Sequence, residues 1–435
     1  MKASMHSAPV RSRQRGVGLV ETMIGILIGM IVILVVYNIL SVAEGYKRAT
    51  AGASDAQITG LLTQFVSSRD IANGGAGITM STVSTNGPDL IACIQNDAGQ
   101  NVRTMPVTQL DAAVRPIPLL ITDGGGMGIS DSFISLSTAA PHVMWPVDFQ
   151  ATAAAGQPIT IQSPNGFTVP VPTAAAPYWA IVMTNDGTGT CKVIRVTNAV
   201  PDPTIPATGK VTLTQDAATA TTVSYNVALP ARFLNLGPSG LATRIQYDVD
   251  AVNGVLRTTD LLVVPPNPLV VVPIAQNVVL MKAQYGIDTN ADGVIDCWTP
   301  ADNTNVCTDG KDYSAGGAAG VRTFNVADLN RILAVRIGVV VRSDEPDLRI
   351  LTDPTNPTLK DEAKALVSTT RPKVYLFNCS TNTAAACQSR VQVPMGGAGG
   401  AANCAPNVIC DYWRYRTYET VVPLRNAIFL ATMPP

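Results

Sequence analysis

The chain has 435 residues, a formal net charge of −1, 14% charged and 5% aromatic side chains, 35 glycines and 31 prolines. Lys2, Arg11, Arg13 and Arg15 all precede Gly16, and a cut there leaves 26 of the 30 Lys+Arg against 31 Asp+Glu. That acidic balance argues against a polyanion such as nucleic acid as the main partner. Few charges with many turn formers argue against an all-helical protein, and the length exceeds what one compact core needs, so two subdomains or one with large insertions are expected.

Arg11, Arg13 and Arg15 precede Gly16, and Glu21 follows. No charged side chain occurs from Thr22 to Ala43. At about 1.5 Å rise per residue, such a helix spans roughly 33 Å, enough for a bilayer core of about 30 Å. Arginines before this run and none within it favour a cytoplasmic N-terminus and an exported remainder. A secretory signal cut near Ser41-Val42-Ala43 competes with this reading, but the run is longer than an h-region of about 7–15 residues. A plain membrane anchor is the other alternative.

Glu21 is the residue in this stretch that asks for a role. A carboxylate just inside an apolar helix is costly in lipid and marks a functional partner by default. In the first turn it also offsets the positive end of the helix dipole. Gly25 and Gly29 step by four from it, a spacing that lets another helix approach closely, although glycine is also common in membrane helices generally.

Glu44 to Asp70 reads as a continuation of the helix. Ile58, Leu61, Leu62, Phe65 and Val66 make one apolar stripe, expected to pack on the sheet of the exported head. Asn73-Gly74-Gly75 supplies a stop. Between 76 and about 235, short β-type runs (Ile117–Ile121, Phe133–Leu136, Tyr178–Met183, Lys192–Val196, Val211–Leu213) alternate with loops rich in Gly, Pro, Thr and Ala. Ala151 to Ala176 is low in complexity and reads as a mobile surface insertion. Asp123-Gly124-Gly125-Gly126-Met127-Gly128 lacks the lysine of a phosphate loop and reads as a turn.

Patterns sharpen from about 236. Arg244 to Asp250 and Val255 to Arg257 form a hairpin over Asn253-Gly254. Val278 to Ile287 is a strand, and Ile332 to Val341, apolar apart from Arg336 on nearly every residue, suits a central strand buried on both faces. Tyr412 to Val422 closes the pattern.

The Gly16/Val17–Glu21 spacing resembles the prepilin peptidase signature. Together with the hairpin ending in Leu256-Arg257, the QYGIDTNADGVID run at 284–296 and PLRNAI at 423–428, it makes the chain similar to the PilW family of minor pilins. The resemblance and the pattern together imply an α+β protein. A long N-terminal pilin-like helix packs on a mainly antiparallel, β-rich periplasmic head with large loops. Its parts are a leader at 1–16, a helix at 17–72 (transmembrane about 22–43), a variable β-rich region at 73–235 and a PilW-like region at 236–435.

The resemblance further implies that prepilin peptidase cuts the Gly16–Val17 bond on the cytoplasmic side. The new Val17 amine is then methylated, and Glu21 pairs with an N-terminal amine during assembly. Val17 stands where the family usually has phenylalanine. Other minor pilins, the major pilin and the inner membrane are the implied partners. The implied role is priming or capping type IV pilus assembly, with a place in the pilus at or near the tip. A J-type pseudopilin of a type II secretion system shares the start motif and stays open as an alternative, as does a membrane-anchored calcium-binding adhesin.

Asp288, Asn290, Asp292, Val294 (through its carbonyl) and Asp296 have the spacing of a calcium loop, whose hard cation takes oxygen ligands. The twelfth position is Thr299, not glutamate, and the same residues suit a hairpin turn. Eight cysteines all follow the apolar run, which fits disulfides in an oxidising compartment. Spacing pairs Cys297 with Cys307, Cys379 with Cys387 and Cys404 with Cys410, leaving Cys93 with Cys191. Zinc is disfavoured because no C-x-x-C occurs and both histidines, His6 and His142, lie elsewhere. Tyr412, Arg414, Arg416 and Tyr418 share a strand face that suits stacking on single-stranded nucleic acid, though arginine stems packed on tyrosines give the same pattern. No G-x-S-x-G, H-E-x-x-H or Walker lysine is present, and an enzyme is not expected.

Overall fold

The computed structural model describes residues 18–76, 119–124, 129–139, 147–148, 152–164, 167, 171–183, 191–201, 209–220, 222–223, 232–250, 253–262, 269–301, 307, 331–344, 373–377, 390–392 and 415–424. The chain divides into two compact units, Met1–Ala53 and Ser54–Pro435. One helix, α1 (Leu19–Ala72), enters both. Its first turn carries Glu21 and its last Arg69, signs that suit the two ends of the helix dipole. The helix stops where expected. Asn73 N–H still donates to Arg69 O at 3.1 Å, Gly74 N–H donates to Ile71 O at 2.9 Å, and Gly75 turns left-handed at φ 78°.

In the first unit, the apolar side chains of α1 between Leu19 and Val42 are all exposed. In the second, strands follow the helix in the order β1 (Leu119–Thr122), β2 (Ser132–Thr138), β3 (Val147–Asp148), β4 (Ile159–Ile161), β5 (Tyr178–Met183) and β6 (Cys191–Pro201). Then come β7 (Val211–Gln215), β8 (Arg232–Pro238), β9 (Ala242–Asp250), β10 (Val255–Asp260), β11 (Val271–Gln276) and β12 (Val278–Ile287). The last are β13 (Cys297–Pro300), β14 (Ile332–Arg342), β15 (Lys373–Tyr375), β16 (Arg390–Gln392) and β17 (Tyr415–Pro423). They form a five-stranded sheet β1-β2-β9-β10-β11, a four-stranded sheet β13-β12-β14-β17, a six-stranded sheet β3-β8-β5-β6-β7-β4 and the pair β15-β16. Every pairing between these strands is antiparallel. The protein is α+β.

Local chemistry explains the main junctions. The β9–β10 hairpin turns through Gly254 at φ 66°, with Asp250 accepting from Asn253 N–H at 3.2 Å and Gly254 N–H donating to Asp250 O at 2.7 Å. Between β11 and β12 the chain leaves one sheet for the next at Asn277, whose φ of 62° asparagine tolerates better than most residues. β14 is buried along nearly its whole length, as its apolar run required. Gly338 within it leaves room for Leu376, which a Cβ there would approach at 2.9 Å.

Besides a small cluster of Val279, Leu280, Val340, Leu376 and Phe377, two larger cores form among the described residues. One unites Ile71 of α1 with Phe133, Tyr247, Leu256, Met281, Tyr285, Val335 and Val422. The other belongs to the six-stranded sheet and includes Ile159, Ile161, Phe167, Tyr178, Val211 and Phe233. The Ala151–Ala176 stretch, read from its composition as a surface insertion, therefore supplies core residues. Ile159, Ile161 and Phe167 are all fully buried.

The helix packs on the head by a different face from the one expected. Of the expected stripe only Val66 packs, half-buried, on the core. Ile58, Leu61, Leu62 and Phe65 are 62%, 53%, 44% and 66% exposed, while Ala56, Gly60, Thr63, Ser67 and Ile71 are buried. At 100° per residue the two sets lie on opposite sides of the helix. Small residues let the backbone come close to the sheet. A Cβ at Gly60 would collide with the Tyr418 ring, so only glycine admits that tyrosine. Asp70 fixes the helix end, accepting from Tyr247 Oη at 2.5 Å on its carboxylate and from Ser135 Oγ at 2.7 Å on its carbonyl.

Candidate functional site

The start of α1 is built around Gly18. Its carbonyl accepts from Glu21 N–H at 2.9 Å and from Thr22 N–H at 3.2 Å, while Thr22 Oγ1 donates to Leu19 O at 2.8 Å. Glu21 thus stands in the first turn, where unpaired N–H groups leave partial positive charge. Gly16 and Val17 lie outside the described residues. A Cβ built on Gly25 or Gly29 meets nothing within 4 Å among the described residues, so this chain's own packing does not account for either glycine. Leu19–Ala72 is long and apolar enough to cross a membrane, and its most apolar window is wholly unburied.

The 288–296 loop is held by its own backbone. Asp288 Oδ1 accepts from Ala291 N–H at 2.6 Å and Asp292 N–H at 3.2 Å, and its Oδ2 accepts from Gly293 N–H at 2.7 Å. Asp292 Oδ1 accepts from Val294 N–H at 2.8 Å, and Asn290 Nδ2 donates to Asp292 Oδ2 at 3.1 Å. Asp296 Oδ2 accepts from Thr289 N–H and Oγ1 at 2.8 and 2.6 Å, contacts that hold its carboxyl below the usual carboxylate range. Ala291 and Gly293 adopt φ of 64° and 84°, the left-handed steps of a capped turn. Side-chain oxygens of Asp288, Asn290, Asp292 and Asp296 take part in this capping. Among the described residues, no group of three or more His, Cys, Asp or Glu side chains is placed to hold a metal ion. The arrangement makes a self-capped turn, and these bonds do not decide between a bare turn and a cation loop.

The disulfide Cys297–Cys307 forms directly after this loop, with Cα atoms 5.7 Å apart. The other three expected pairs lie outside what is described: Cys93, Cys379, Cys387, Cys404 and Cys410 altogether, and Cys191 beyond its backbone place at the head of β6. Next to the bridge, Trp298 lies over Gly286, where a Cβ would come within 2.8 Å of the ring. Arg336 packs between Trp298 and Phe377, 4.9 and 4.4 Å from their ring centroids, and donates to Gln284 Oε1 at 2.8 Å. Arg336, the one basic residue from Ile332 to Val341, is thereby committed to structure.

Tyr412 and Arg414 lie outside the described residues. Of the other two residues expected on a nucleic-acid face, Arg416 is exposed, while Tyr418 is occupied under Gly60 of α1. A ring beneath a helix offers no stacking platform, so the packing explanation holds for it. Sequence reading missed the buried helix face. Its signal was the small-residue rhythm Ala56, Gly60, Thr63, Ser67, which hydrophobicity alone passes over.

A model of the prokaryotic N-terminal methylation motif matches residues 11–37. The family described as type IV pilus-assembly protein W, PilW, matches residues 264–426. No curated protein and no solved structure matches the chain. The first match spans the arginines, Glu21 and the exposed apolar helix, and the second spans β11 to β17. Over these two stretches the chain is similar to PilW and to prepilin-type proteins, which supports a pilin-like role related to the type IV pilus.

Proposed function

We propose that this protein is a minor pilin that co-assembles with other minor pilins to prime or cap type IV pilus assembly. The observation that carries the reading is the apolar surface left uncovered by α1 in each unit: Leu19 to Val42 in the first, and Ile58, Leu61, Leu62 and Phe65 in the second. An exposed apolar patch on an ordered helix marks an interaction surface, and helices of other pilin subunits are its matching occupants. In this reading prepilin peptidase cuts between Gly16 and Val17, the head faces the periplasm, and Gly25 and Gly29 admit a neighbouring helix. Glu21 pairs with an N-terminal amine and sets register more than stability.

Glu21→Ala tests this. Mass spectrometry of the mature N-terminus is expected to find a chain beginning at Val17 in variant and parent alike, with the variant at least tenfold depleted from sheared pili. Wild-type incorporation of the variant removes Glu21 from assembly. Co-purification with type II secretion components in place of pilins selects the J-type pseudopilin reading.

A further inference from the structure

Lys282 lies in β12, a strand buried along its whole length, and only 10% of its side chain is exposed. Its Nζ is 2.6 Å from Asp131 Oδ1 and 3.2 Å from Asp123 Oδ1. Asp131 is 2% exposed. Its Oδ2 accepts from Ala283 N–H at 2.9 Å, and its Oδ1 also accepts from Gly124 N–H at 3.1 Å. The backbone holds the approach: Asp131 N–H donates to Met281 O at 2.8 Å, and Met281 N–H donates to Ser130 Oγ at 3.2 Å. Gly124 is required here, because a Cβ would collide with the Ser130 carbonyl.

Proton transfer from the ammonium to its buried carboxylate gives an amine against an acid, with no charge left to desolvate. Burial pushes Asp131 up to about 7, against the pull of Lys282, so its acid form is populated near neutrality. A neutral amine fixed against a carboxylic acid is the reactant pair of an amide condensation. Holding such groups in place gives effective molarities of about 10⁵–10⁸ M in well-oriented cases.

We propose that Lys282 and Asp131 condense to an intramolecular isopeptide bond, with Asp123 as the proton carrier. The Nζ lone pair adds to Asp131 Cγ, and the charge that develops on Oδ2 is met by Ala283 N–H. Asp123 takes a proton from the attacking nitrogen and delivers it to the hydroxyl at Oδ1, which leaves as water. One C–N bond forms, one C–O bond breaks, no electrons are exchanged with an outside reagent, and Asp123 ends as it began. The product is a covalent tie between β12 of the four-stranded sheet and the segment leading into β2 of the five-stranded sheet. Such a tie would suit a subunit of a filament under load.

The full chain, extracted in detergent, reduced, alkylated and digested with trypsin, tests this by mass spectrometry. The expected product is a branched peptide joining the Asp131 and Lys282 segments, lighter than the two together by one water, with no cleavage after Lys282. Asp131→Asn should form the same branch with loss of ammonia, and Lys282→Met should abolish it. Asp123→Asn should lower the branched fraction at least tenfold. Recovery of the two segments as separate, unmodified peptides from folded wild-type chain overturns the proposal. A wild-type yield from Asp123→Asn overturns the role given to Asp123.

Discussion

Between Ala56 and Ile71 the two faces of one helix differ in a way that reverses the usual expectation. The face turned to the head is built from Ala56, Gly60, Thr63, Ser67 and Ile71, and the face turned away carries Ile58, Leu61, Leu62 and Phe65. Burial within the chain went to the side that permits close approach, and the larger apolar groups were left for something else to cover. On the proposed pilin reading, hydrophobicity along this helix reports what an assembly would bury, and the fold of the single chain buries the opposite side.

Three measurements would break or sharpen that contrast. The largest effect belongs to Ile71→Ala. This fully buried residue joins α1 to the sheets, and removing it should cost about 2–5 kcal/mol, read as a lower melting temperature of the detergent-solubilised chain. Tyr247→Phe comes next. It takes the hydroxyl from Asp70 at the end of the same face and should cost about 1–3 kcal/mol at neutral pH.

The variant also has a pH signature. Burial first, and then the bond to Asp70, raise the Tyr247 phenol above its ordinary range. The unfolded chain therefore releases this proton at lower pH than the folded chain does. Stability from the group is complete below about pH 10 and drains as pH rises beyond it. Tyr285 is raised by burial too, so Tyr247→Phe should weaken the alkaline loss without abolishing it in a melting series from neutral to alkaline pH.

The smallest expected effect on stability is that of Phe65→Ser on the outward face, within about 0.5 kcal/mol of wild type. The same variant should be depleted from sheared pili. A large fall in its melting temperature would show that the outward face is covered by the chain itself.

Much of the architecture was legible in the sequence. Tyr178–Met183 and Val278–Ile287 were marked to the residue by short β-branched and aromatic runs, and β14 by an apolar run that left no face for water. The helix stop was written in Asn73-Gly74-Gly75. The helix face was not legible, because a periodic stripe shows that one side of a helix will be buried and is silent on whether the same chain buries it. The six-stranded sheet was only half legible. Tyr178–Met183, Lys192–Val196 and Val211–Leu213 marked three of its strands, but its core also draws on Ile159, Ile161 and Phe167, single large apolar residues in a stretch of Ala, Thr, Pro and Gly. At 288–296 the spacing of carboxylates was plain, but spacing serves a cation and a self-capped turn alike. The hydrogen bonds to Asp288 show how the turn is capped, a feature that both readings share.

The six-stranded sheet and the sheets beneath the helix draw on separate sets of core residues. The two interiors are joined at narrow seams, one of them Thr138 Oγ1 of β2 donating to Leu236 O of β8. Heat should dismantle this head in stages, and the tier bearing Phe167 and Phe233 can come undone while the tier gripping α1 still presents its outward stripe to neighbours.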